Sequence, residues 1–573
     1  MLTTRKTALA AIVASLMLSA CGGSSSNDNN DNSGGDNGGS GNAAPTAISL
    51  DANSVEENIA GAEIGTLTVT DEDDDSHTFS VDDERFVVTG NTLMLAEGQA
   101  LNFEKAATVT LNVTATDSGD ESVTEEFSID VTDVLDTYSF TSAFTEESSV
   151  SYSGQIARYV LLTDIKTLMD TEFGAVEDFN NAGYVDRQDA LDALLQYFDN
   201  FGDQYDAIWG ATNIRISTDP AKDQQTLLEV SGSNKNLVGK LAGNDATGQH
   251  KDWSTEFVGW GAAGSTDPES LVRSWFNELA DNAESQLAGN QRLDPFGDVI
   301  NKVHLTDDGL NLSQLIHKFL LMGVAYSQSV DDYLDDDTEG KGLMTDNTSQ
   351  DDGAAFTTLE HQFDEGYGYF GAARDFLDYS DEMIASPGYM DTDESGSIDL
   401  ESEFNFTFAG YAAKRDLGSQ EGVKTDFTQS IFDAFLQGRK IINDNAGQAL
   451  TTAQMDDLKV QRDIIVSEWE KVVAANVIHY ANSTLSDYEN INTEDFDYGA
   501  LATHWSELKA FALGLQFNRF KAISDEDFAS LHQLIGDKPV LTGDMDAYLA
   551  DIEAARDLVG TAYGFADANV QNW

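Results

Sequence analysis

Cysteine, proline and basic residues are scarce in this chain of 573 residues. It has one cysteine, six prolines and 31 Lys and Arg against 101 Asp and Glu, which gives a formal net charge of −70 at pH 7. A single cysteine cannot form an intramolecular disulfide. Because binding to nucleic acid needs clustered Lys and Arg, we expect no nucleic-acid partner. So acidic a chain favours the binding of cations. Because the chain cannot form an intramolecular disulfide, we expect bound Ca²⁺ to stabilise the fold instead.

Common catalytic motifs are also missing. The chain has no His-Glu-x-x-His, no Gly-x-Ser-x-Gly and no Gly-x-x-x-x-Gly-Lys-Ser/Thr. The sequence therefore has no motif that supports zincin, serine-hydrolase or nucleotide-triphosphatase activity. We expect a protein that binds a ligand without turnover. Hydrophobic residues make up 41% of the chain, which is enough for a core in two or three domains.

The first twenty residues form a candidate targeting segment. Arg5 and Lys6 precede an apolar stretch over residues 8–17, and Cys21 follows a small residue. This pattern resembles a bacterial lipoprotein signal, which implies cleavage of residues 1–20 and a lipid on Cys21. The apolar stretch has about ten residues, whereas a membrane-spanning helix needs about 20. We therefore expect attachment to a membrane of the cell envelope through this lipid anchor.

Residues 21–43 comprise the lipid-bearing cysteine and a flexible tether. After Gly22 the tether is almost wholly Gly, Ser, Asn and Asp, which cannot seed a core. Glycine rather than aspartate after the lipid-bearing cysteine favours the outer membrane. The folded part is then either periplasmic or exposed at the cell surface.

Short β-branched runs alternate between apolar and polar residues from residue 44 to 136. Such period-two runs, separated by turn residues, predict a small antiparallel β-sandwich. The predicted strands are residues 64–70, 79–81, 85–89, 108–115 and 126–131.

Carboxylates lie at the ends of these predicted strands. They form an N-terminal Glu, an Asp-x-Asp, a Leu-Asn-Phe-Glu, an Ala-x-Asp and a terminal Asp. With these motifs the segment resembles a bacterial cadherin-like repeat, although Asn102 stands where that family has Asp. The resemblance implies Ca²⁺ ligands at Glu57, Asp71, Asp73, Glu104, Asp117 and Asp133. Solvated loop charges are the alternative.

Beyond residue 136 the hydrophobic period changes to that of helices. Asp267 is a predicted helix cap, and Pro268 follows at the first helical position. Amphipathic stretches cover residues 187–201, 310–334, 358–376, 427–442, 455–480, 500–517 and 545–563. Residues 137–573 are therefore expected to form a large all-α domain. Because one core rarely exceeds about 250–300 residues, we expect two packed helical bundles. The acidic run 331–337 is expected to be solvated surface.

Several segments of this region are long enough to compare with known families. They are residues 309–323, 361–371, 400–406, 412–416 and 504–518. These segments resemble an imelysin-related family of helical-bundle domains in bacterial lipoproteins. The resemblance implies a cell-envelope protein related to imelysins, which are linked to iron or haem acquisition and, less securely, to metallopeptidase activity. Kinship of fold alone does not assign a function.

Residues 391–403 have the spacing of a calcium-binding loop. An EF-hand loop places oxygen ligands at positions 1, 3, 5, 7 and 9 and Gly at position 6. The matching residues are Asp391, Asp393, Ser395, Gly396, Ser397 and Asp399. Position 12 is Ser402 rather than Glu, so we expect Glu403 to be a shifted bidentate ligand. An Asp-rich surface turn is the alternative.

Two pairs of His and Glu are candidate half-sites for a transition metal. His361 and Glu365 are four residues apart and share a face if their segment is helical. His504 and Glu507 have the His-x-x-Glu spacing of imelysins, with Ala502 in place of that family's glycine. For each histidine, a hydrogen-bonded structural role is the alternative.

Three functions remain open. The first is uptake of iron, another transition metal or haem by the helical domain of a calcium-binding lipoprotein. The second is an adhesion or scaffold protein that calcium stiffens and whose helical domain binds protein or polysaccharide. The third is a metallopeptidase that uses His504 and Glu507. The metal-dependent functions require the two His and Glu pairs to converge within about 2–2.5 Å of one point.

Overall fold

A computed structural model describes most of the chain. The described residues are 42–73, 76–103, 105–200, 202, 218, 220–244, 249–386, 388–491 and 493–573. The chain divides into two compact units, with the boundary between Val134 and Leu135. We call them the β-unit and the helical unit. The expected fold class, a β-sandwich followed by a large helical domain, is confirmed.

Among the described residues, the β-unit has eight strands in two sheets. Strands β1 to β8 are Ala47–Leu50, Ser54–Glu56, Glu63–Thr70, Thr78–Val81, Phe86–Thr89, Thr92–Leu95, Thr108–Thr116 and Ser122–Thr132. The strand order is β1-β3-β6-β5 in one sheet and β2-β8-β7-β4 in the other. The pairs are antiparallel except β2 with β8, which are parallel. This pair is the one departure from the predicted antiparallel sandwich.

Alternating burial along the strands explains why they form a sandwich. In β7 the side chains of Val109, Leu111, Val113 and Ala115 are buried, and the residues between them are more exposed. Together with Ile129 of β8 they belong to one core of apolar side chains. Strands β1, β2 and β6, which have three or four residues each, were not predicted.

The described part of the helical unit has sixteen α-helices. Helices α1 to α16 are Ser153–Thr171, Val176–Ala182, Arg187–Phe198, Leu227–Val230, Trp253–Glu256, Pro268–Leu287, Leu312–Leu320, Thr358–Phe370, Asp381–Ala385, Thr407–Gly418, Phe427–Asn443, Thr452–Glu489, Tyr498–Gly514, Asp525–Ile535, Met545–Ala562 and Asp567–Val570. Two short strands, β9 (Asp223–Gln224) and β10 (Ser397–Ile398), pair in parallel. The predicted start of α6 is confirmed: Asp267 accepts a hydrogen bond from the Ser270 N–H, 2.8 Å away.

Helix α12 lies at the centre of one continuous core. It has 38 residues, its middle is buried between Ile465 and Ala481, and it packs against α11, α13 and α15. Buried apolar side chains from Tyr138 to Trp573 belong to a single cluster. The expectation of two packed bundles is therefore wrong, because one long buried helix joins what would otherwise be separate cores.

The segment from residue 310 to 334 is not one regular helix. Helix α7 is followed by π-helical turns at residues 321–326 and 329–333. Almost every side chain of this segment is buried, so its hydrophobic pattern could not reveal the wider turn.

The acidic run 331–337, which begins within the second π-helical turn, is also not the solvated surface that the sequence suggested. Asp331, Asp332 and Asp335 are fully buried. Arg519 donates hydrogen bonds to Asp335 at 3.2 Å and to Asp336 at 2.8 Å. Arg519, which is 184 positions from Asp335 in the sequence, therefore neutralises part of this run.

A buried arginine joins the N-terminal segment of the helical unit to helices α8 and α11. The Arg439 guanidinium is fully buried and donates to Asp364 Oδ1 at 2.7 Å and to Glu360 Oε1 at 2.9 Å. It also donates to Ser149 Oγ at 2.8 Å, and the Tyr138 hydroxyl donates to Asp364 Oδ1 at 2.9 Å. Both carboxylates therefore depend on one cation for neutralisation.

We expect Arg439→Met to destabilise the helical unit by about 3–5 kcal/mol, because it leaves Glu360 and Asp364 as buried carboxylates without their cation. Urea unfolding followed by circular dichroism measures this loss. Lys440→Met is the matched control, since Lys440 is the next residue and forms an exposed pair with Asp444. Its effect should stay below about 1 kcal/mol. Equal effects of the two substitutions would contradict this account of Arg439.

Glu470 of α12 is another buried carboxylate, and among the described residues no cation donates a hydrogen bond to it. It accepts hydrogen bonds from Asn518 Nδ2 at 2.9 Å, the Ala522 N–H at 3.0 Å and the Tyr563 hydroxyl at 2.6 Å. Burial raises the pKa of Glu470 to about 7. The folded chain therefore holds this proton more tightly than the unfolded chain, where the pKa is near 4.5.

This raised pKa predicts that the free energy of unfolding falls as pH rises through about 4.5 to 7. One proton contributes at most about 1.4 kcal/mol per pH unit. Urea unfolding at pH 5, 6, 7 and 8 measures the slope. Glu470→Gln should reduce the slope, whereas Glu468→Gln, which changes a partly exposed neighbour, should leave it unchanged. An unchanged slope in Glu470→Gln would refute the prediction.

Candidate functional site

One group of acidic side chains in the described residues has the arrangement of a cation site. Asp391, Asp393 and Glu403 each offer a carboxylate oxygen, and these oxygens lie within 4.8 Å of one another. Among the described residues, no other set of three or more His, Cys, Asp or Glu side chains meets this distance. The group comes from the loop that precedes helix α10.

Glu403 is fixed in this loop by hydrogen bonds from the backbone. Its Oε1 accepts from the Thr392 N–H at 2.8 Å, and its Oε2 accepts from the Asp399 N–H at 2.9 Å. The neighbouring Glu401 turns instead towards Arg374, 3.7 Å away, and burial raises the pKa of Glu401 to about 7. Of the two glutamates beside position 12, Glu403 is thus the one within the acidic group.

Asp391 is the least satisfied member of the group. Its side chain is 9% exposed, and its Oδ1 is buried without a hydrogen-bond partner. Its Oδ2 accepts from Lys222 Nζ and from the Gly396 N–H at 3.1 Å. The hydrogen bond from Lys222 lowers the pKa of Asp391, so the carboxylate is ionised at neutral pH.

The other predicted loop residues have local roles. Asp393 Oδ1 accepts from the Ser395 N–H at 2.9 Å, and Asp399 Oδ1 accepts from the Glu401 N–H at 2.7 Å. The hydroxyls of Ser395 and Ser397 are 3.0 Å apart. Gly396, at loop position 6, has a φ of +86°, which glycine adopts without strain.

Two residues near the loop were not identified from the sequence. Lys222 is 169 positions from Asp391 and is brought to it by the pairing of β9 with β10. Asp375 lies beside Thr392 and Glu403, and burial raises the pKa of Asp375 to about 6. Neither residue belongs to a local motif, so no sequence signal could have found them.

In the β-unit, Glu57 and Asp133 form one of two carboxylate groups. Glu57 is 1% exposed and accepts from the Phe103 N–H at 2.6 Å and the Val134 N–H at 2.7 Å. Burial and the charge of Glu57 raise the pKa of Asp133. Glu104, another predicted Ca²⁺ ligand, lies outside the described residues.

Asp71, Asp73 and Asp117 form the second group, around a histidine. Asp71 Oδ2 is 2.9 Å from His77 Nε2, and Asp71 Oδ1 accepts from the Asp73 N–H at 3.1 Å. Asp117 accepts from Asn42 Nδ2 at 2.9 Å. His77 is therefore a hydrogen-bond partner of Asp71, and the sequence analysis did not identify it.

The two His and Glu pairs do not form one site among the described residues. His361 Nδ1 donates to the Ser151 carbonyl at 2.9 Å, which leaves Nε2 4.0 Å from Glu365. His504 Nδ1 is 2.7 Å from Asp487 Oδ2, and this hydrogen bond raises the pKa of His504. Glu507 instead lies 3.4 Å from Lys318.

The predicted lipid attachment site, Cys21, lies outside the described residues. Among the helices that the structure does describe, none combines the length and apolar character needed to cross a bilayer.

Comparisons with known proteins identify relatives of parts of the chain. Residues 266–534 match the family described as "Domain of unknown function (DUF4856)". No curated protein matches the chain. A crystal structure of human Protocadherin-24 EC1-2 is similar with 24% identity and a TM-score of 0.16, over 18% of this chain and 50% of that chain.

A second crystal form of Protocadherin-24 EC1-2 is similar with 25% identity and a TM-score of 0.14, over 17% of this chain and 49% of that chain. The chain thus spans about half the length of these structures. Kinship with imelysins and the lipoprotein signal stay predictions.

Proposed function

We propose that this chain is a calcium-binding protein of the cell envelope that acts as a scaffold or adhesion protein without turnover. The observation that carries the proposal is the buried, unpartnered Oδ1 of Asp391 beside the carboxylates of Asp393 and Glu403. Ca²⁺ takes six to eight hard oxygen ligands, and carboxylates are preferred among them. A bound Ca²⁺ offsets the repulsion within this group.

The contacts of the loop favour a structural ion over a sensor. The Tyr152 hydroxyl donates to the Glu401 carbonyl at 2.6 Å, and the Arg374 N–H donates to the Ser402 carbonyl at 2.9 Å. The Tyr379 hydroxyl donates to the Glu403 carbonyl at 3.1 Å. An ion in this loop therefore fixes a segment that is already attached to the surrounding helical unit.

Transition-metal uptake, haem binding and peptidase activity have less support. Uptake of a transition metal or haem was predicted from the resemblance to imelysins and from the pairs of His361 with Glu365 and His504 with Glu507. Peptidase activity was predicted from His504 and Glu507 alone. His504 is hydrogen-bonded to Asp487, and Glu507 lies near Lys318. Both side chains therefore have partners other than a shared metal. We therefore favour the hypothesis in which calcium stiffens the protein and the helical unit binds protein or polysaccharide.

The membrane anchor is part of the same proposal. The lipoprotein-like pattern that ends at Cys21, followed by Gly22, supports attachment to the outer membrane through a lipid. The polar segment from residue 22 to 43 then serves as a tether. Mass spectrometry of the N-terminal peptide from membrane fractions identifies the lipid directly.

We expect Asp391→Asn to remove one bound calcium ion per chain and to weaken Ca²⁺ binding at this loop by about tenfold or more, because it removes a charged ligand. Elemental analysis after dialysis gives the number of ions, and calorimetric titration gives the affinity. Lys222→Gln should strengthen binding, since the lysine ammonium no longer competes for Asp391.

Asp352→Asn is the matched control for this experiment. It makes the same chemical change at an exposed loop residue whose φ of 44° asparagine tolerates. It should leave the number of bound ions unchanged. If Asp391→Asn and Asp352→Asn bind as much calcium as the unchanged chain, the loop is an acidic surface turn and the proposal fails.

A further inference from the structure

A pocket of about 350 Å³ in the helical unit has a cationic lining. The charged lining residues are Arg158, Lys235, Lys240, Lys341, Asp332 and Glu365. With His361 neutral, this lining has a net charge of +2, whereas the whole chain has a net charge of −70. The pocket therefore concentrates scarce cations at one place.

Arg158 and Lys235 converge on Gly154. A Cβ atom at Gly154 would lie 3.5 Å from Arg158 Nη1 and 3.7 Å from Lys235 Nζ. Lys235 donates to Ser233 Oγ at 2.7 Å, and Arg158 donates to the carbonyls of Asn236 and Gly154. In the described part of the chain, neither cation forms an ion pair with a carboxylate.

The two cations also repel each other. Burial and the nearby charge of Arg158 lower the pKa of Lys235, and the weaker attraction of Glu365 only partly offsets this shift. A group with negative charge between them would relieve this repulsion and would be attracted by both.

Helix α1 begins at the same place, and it has 19 residues. Its N-cap, Tyr152, makes no side-chain cap hydrogen bond, and its first turn has no acidic residue. The N–H groups of Ser153 and Gly154 donate to none of the described residues. Such N–H groups and the helix dipole favour an anion at this end of the helix.

The carboxylates of the pocket do not fill this position. Asp332 Oδ1 is 2.7 Å from Lys341 Nζ. Glu365 is held by amides, since it accepts from Gln155 Nε2 at 2.6 Å and from Gln362 Nε2 at 3.1 Å. The positive charge of Arg158 and Lys235 is therefore left for a ligand.

We propose that this pocket binds a phosphate- or sulfate-type oxyanion between the N-terminus of α1, Arg158 and Lys235. A tetrahedral oxyanion has acceptor oxygens in several directions, which suits donors that arrive from a helix end and from two side chains. The pocket volume leaves room for a small group esterified to the anion. No residue of the loop 391–403 lines this pocket.

Calorimetric titration of the calcium-free full chain with inorganic phosphate at pH 7 and low ionic strength tests the proposal. We expect saturable binding of one phosphate per chain. Lys235→Gln should weaken it about tenfold, because a charged hydrogen-bond donor is lost. Lys440→Gln makes the same charge change at an exposed lysine outside the pocket, and it should change the affinity by less than about twofold.

Glu365→Gln separates an anion site from a metal site in the same pocket. Removing this carboxylate should tighten phosphate binding, whereas a site that held phosphate through a metal on His361 and Glu365 would lose it. Circular dichroism verifies that each variant is folded. The proposal is overturned by an absence of saturable binding, by equal effects of Lys235→Gln and Lys440→Gln, or by loss of binding in Glu365→Gln.

Sulfate and glycerol phosphate, titrated in the same way, identify the source of the anion. Tight binding of glycerol phosphate indicates an esterified ligand, and preference for inorganic phosphate or sulfate indicates a free ion. Either result supports an oxyanion site. If chloride at equal ionic strength displaces all three equally well, the pocket only screens charge and the proposal fails.

Discussion

Repulsion among carboxylates is the constraint that decides where this chain places its cations. With 101 acidic and 31 basic residues, acidic side chains outnumber basic ones about threefold, and carboxylates that are buried must be neutralised locally. Arg439 satisfies Glu360 and Asp364 inside the core, and Arg519 does the same at the acidic run after the π-helical turns. The packing of the helical unit therefore depends on a few arginines that bring together elements far apart in the sequence.

The same constraint gives the two proposed sites opposite character. At residues 391–403 carboxylates outnumber the one nearby lysine, so the missing partner is a cation. At the start of α1, Arg158 and Lys235 have no carboxylate partner among the described residues, so the missing partner is an anion. In both places the local charge imbalance, rather than the overall net charge, determines what can bind.

Features that depend on residues close together in the sequence could be predicted, whereas features that depend on contacts between distant residues could not. The strands with period-two burial, the start of α6 at Asp267 and the acidic loop at 391–403 are local patterns, and they could be predicted. Lys222 and Asp375 reach the loop only through tertiary packing. The π-helical turns escaped prediction because a helix that is buried on all sides has no periodicity to measure.

The proposed calcium loop and the proposed anion pocket are connected through Tyr152. This residue is the N-cap of α1, its hydroxyl donates to the Glu401 carbonyl, and Arg374 Nε donates to the same hydroxyl at 3.0 Å. An ion that fixes the loop therefore also fixes the residue from which the pocket's helix begins. Because coupling between two binding sites is reciprocal, an anion in the pocket would stabilise the loop conformation by the same free energy. Such coupling needs no large motion, since ordering one shared residue lowers the entropic cost of binding at both sites.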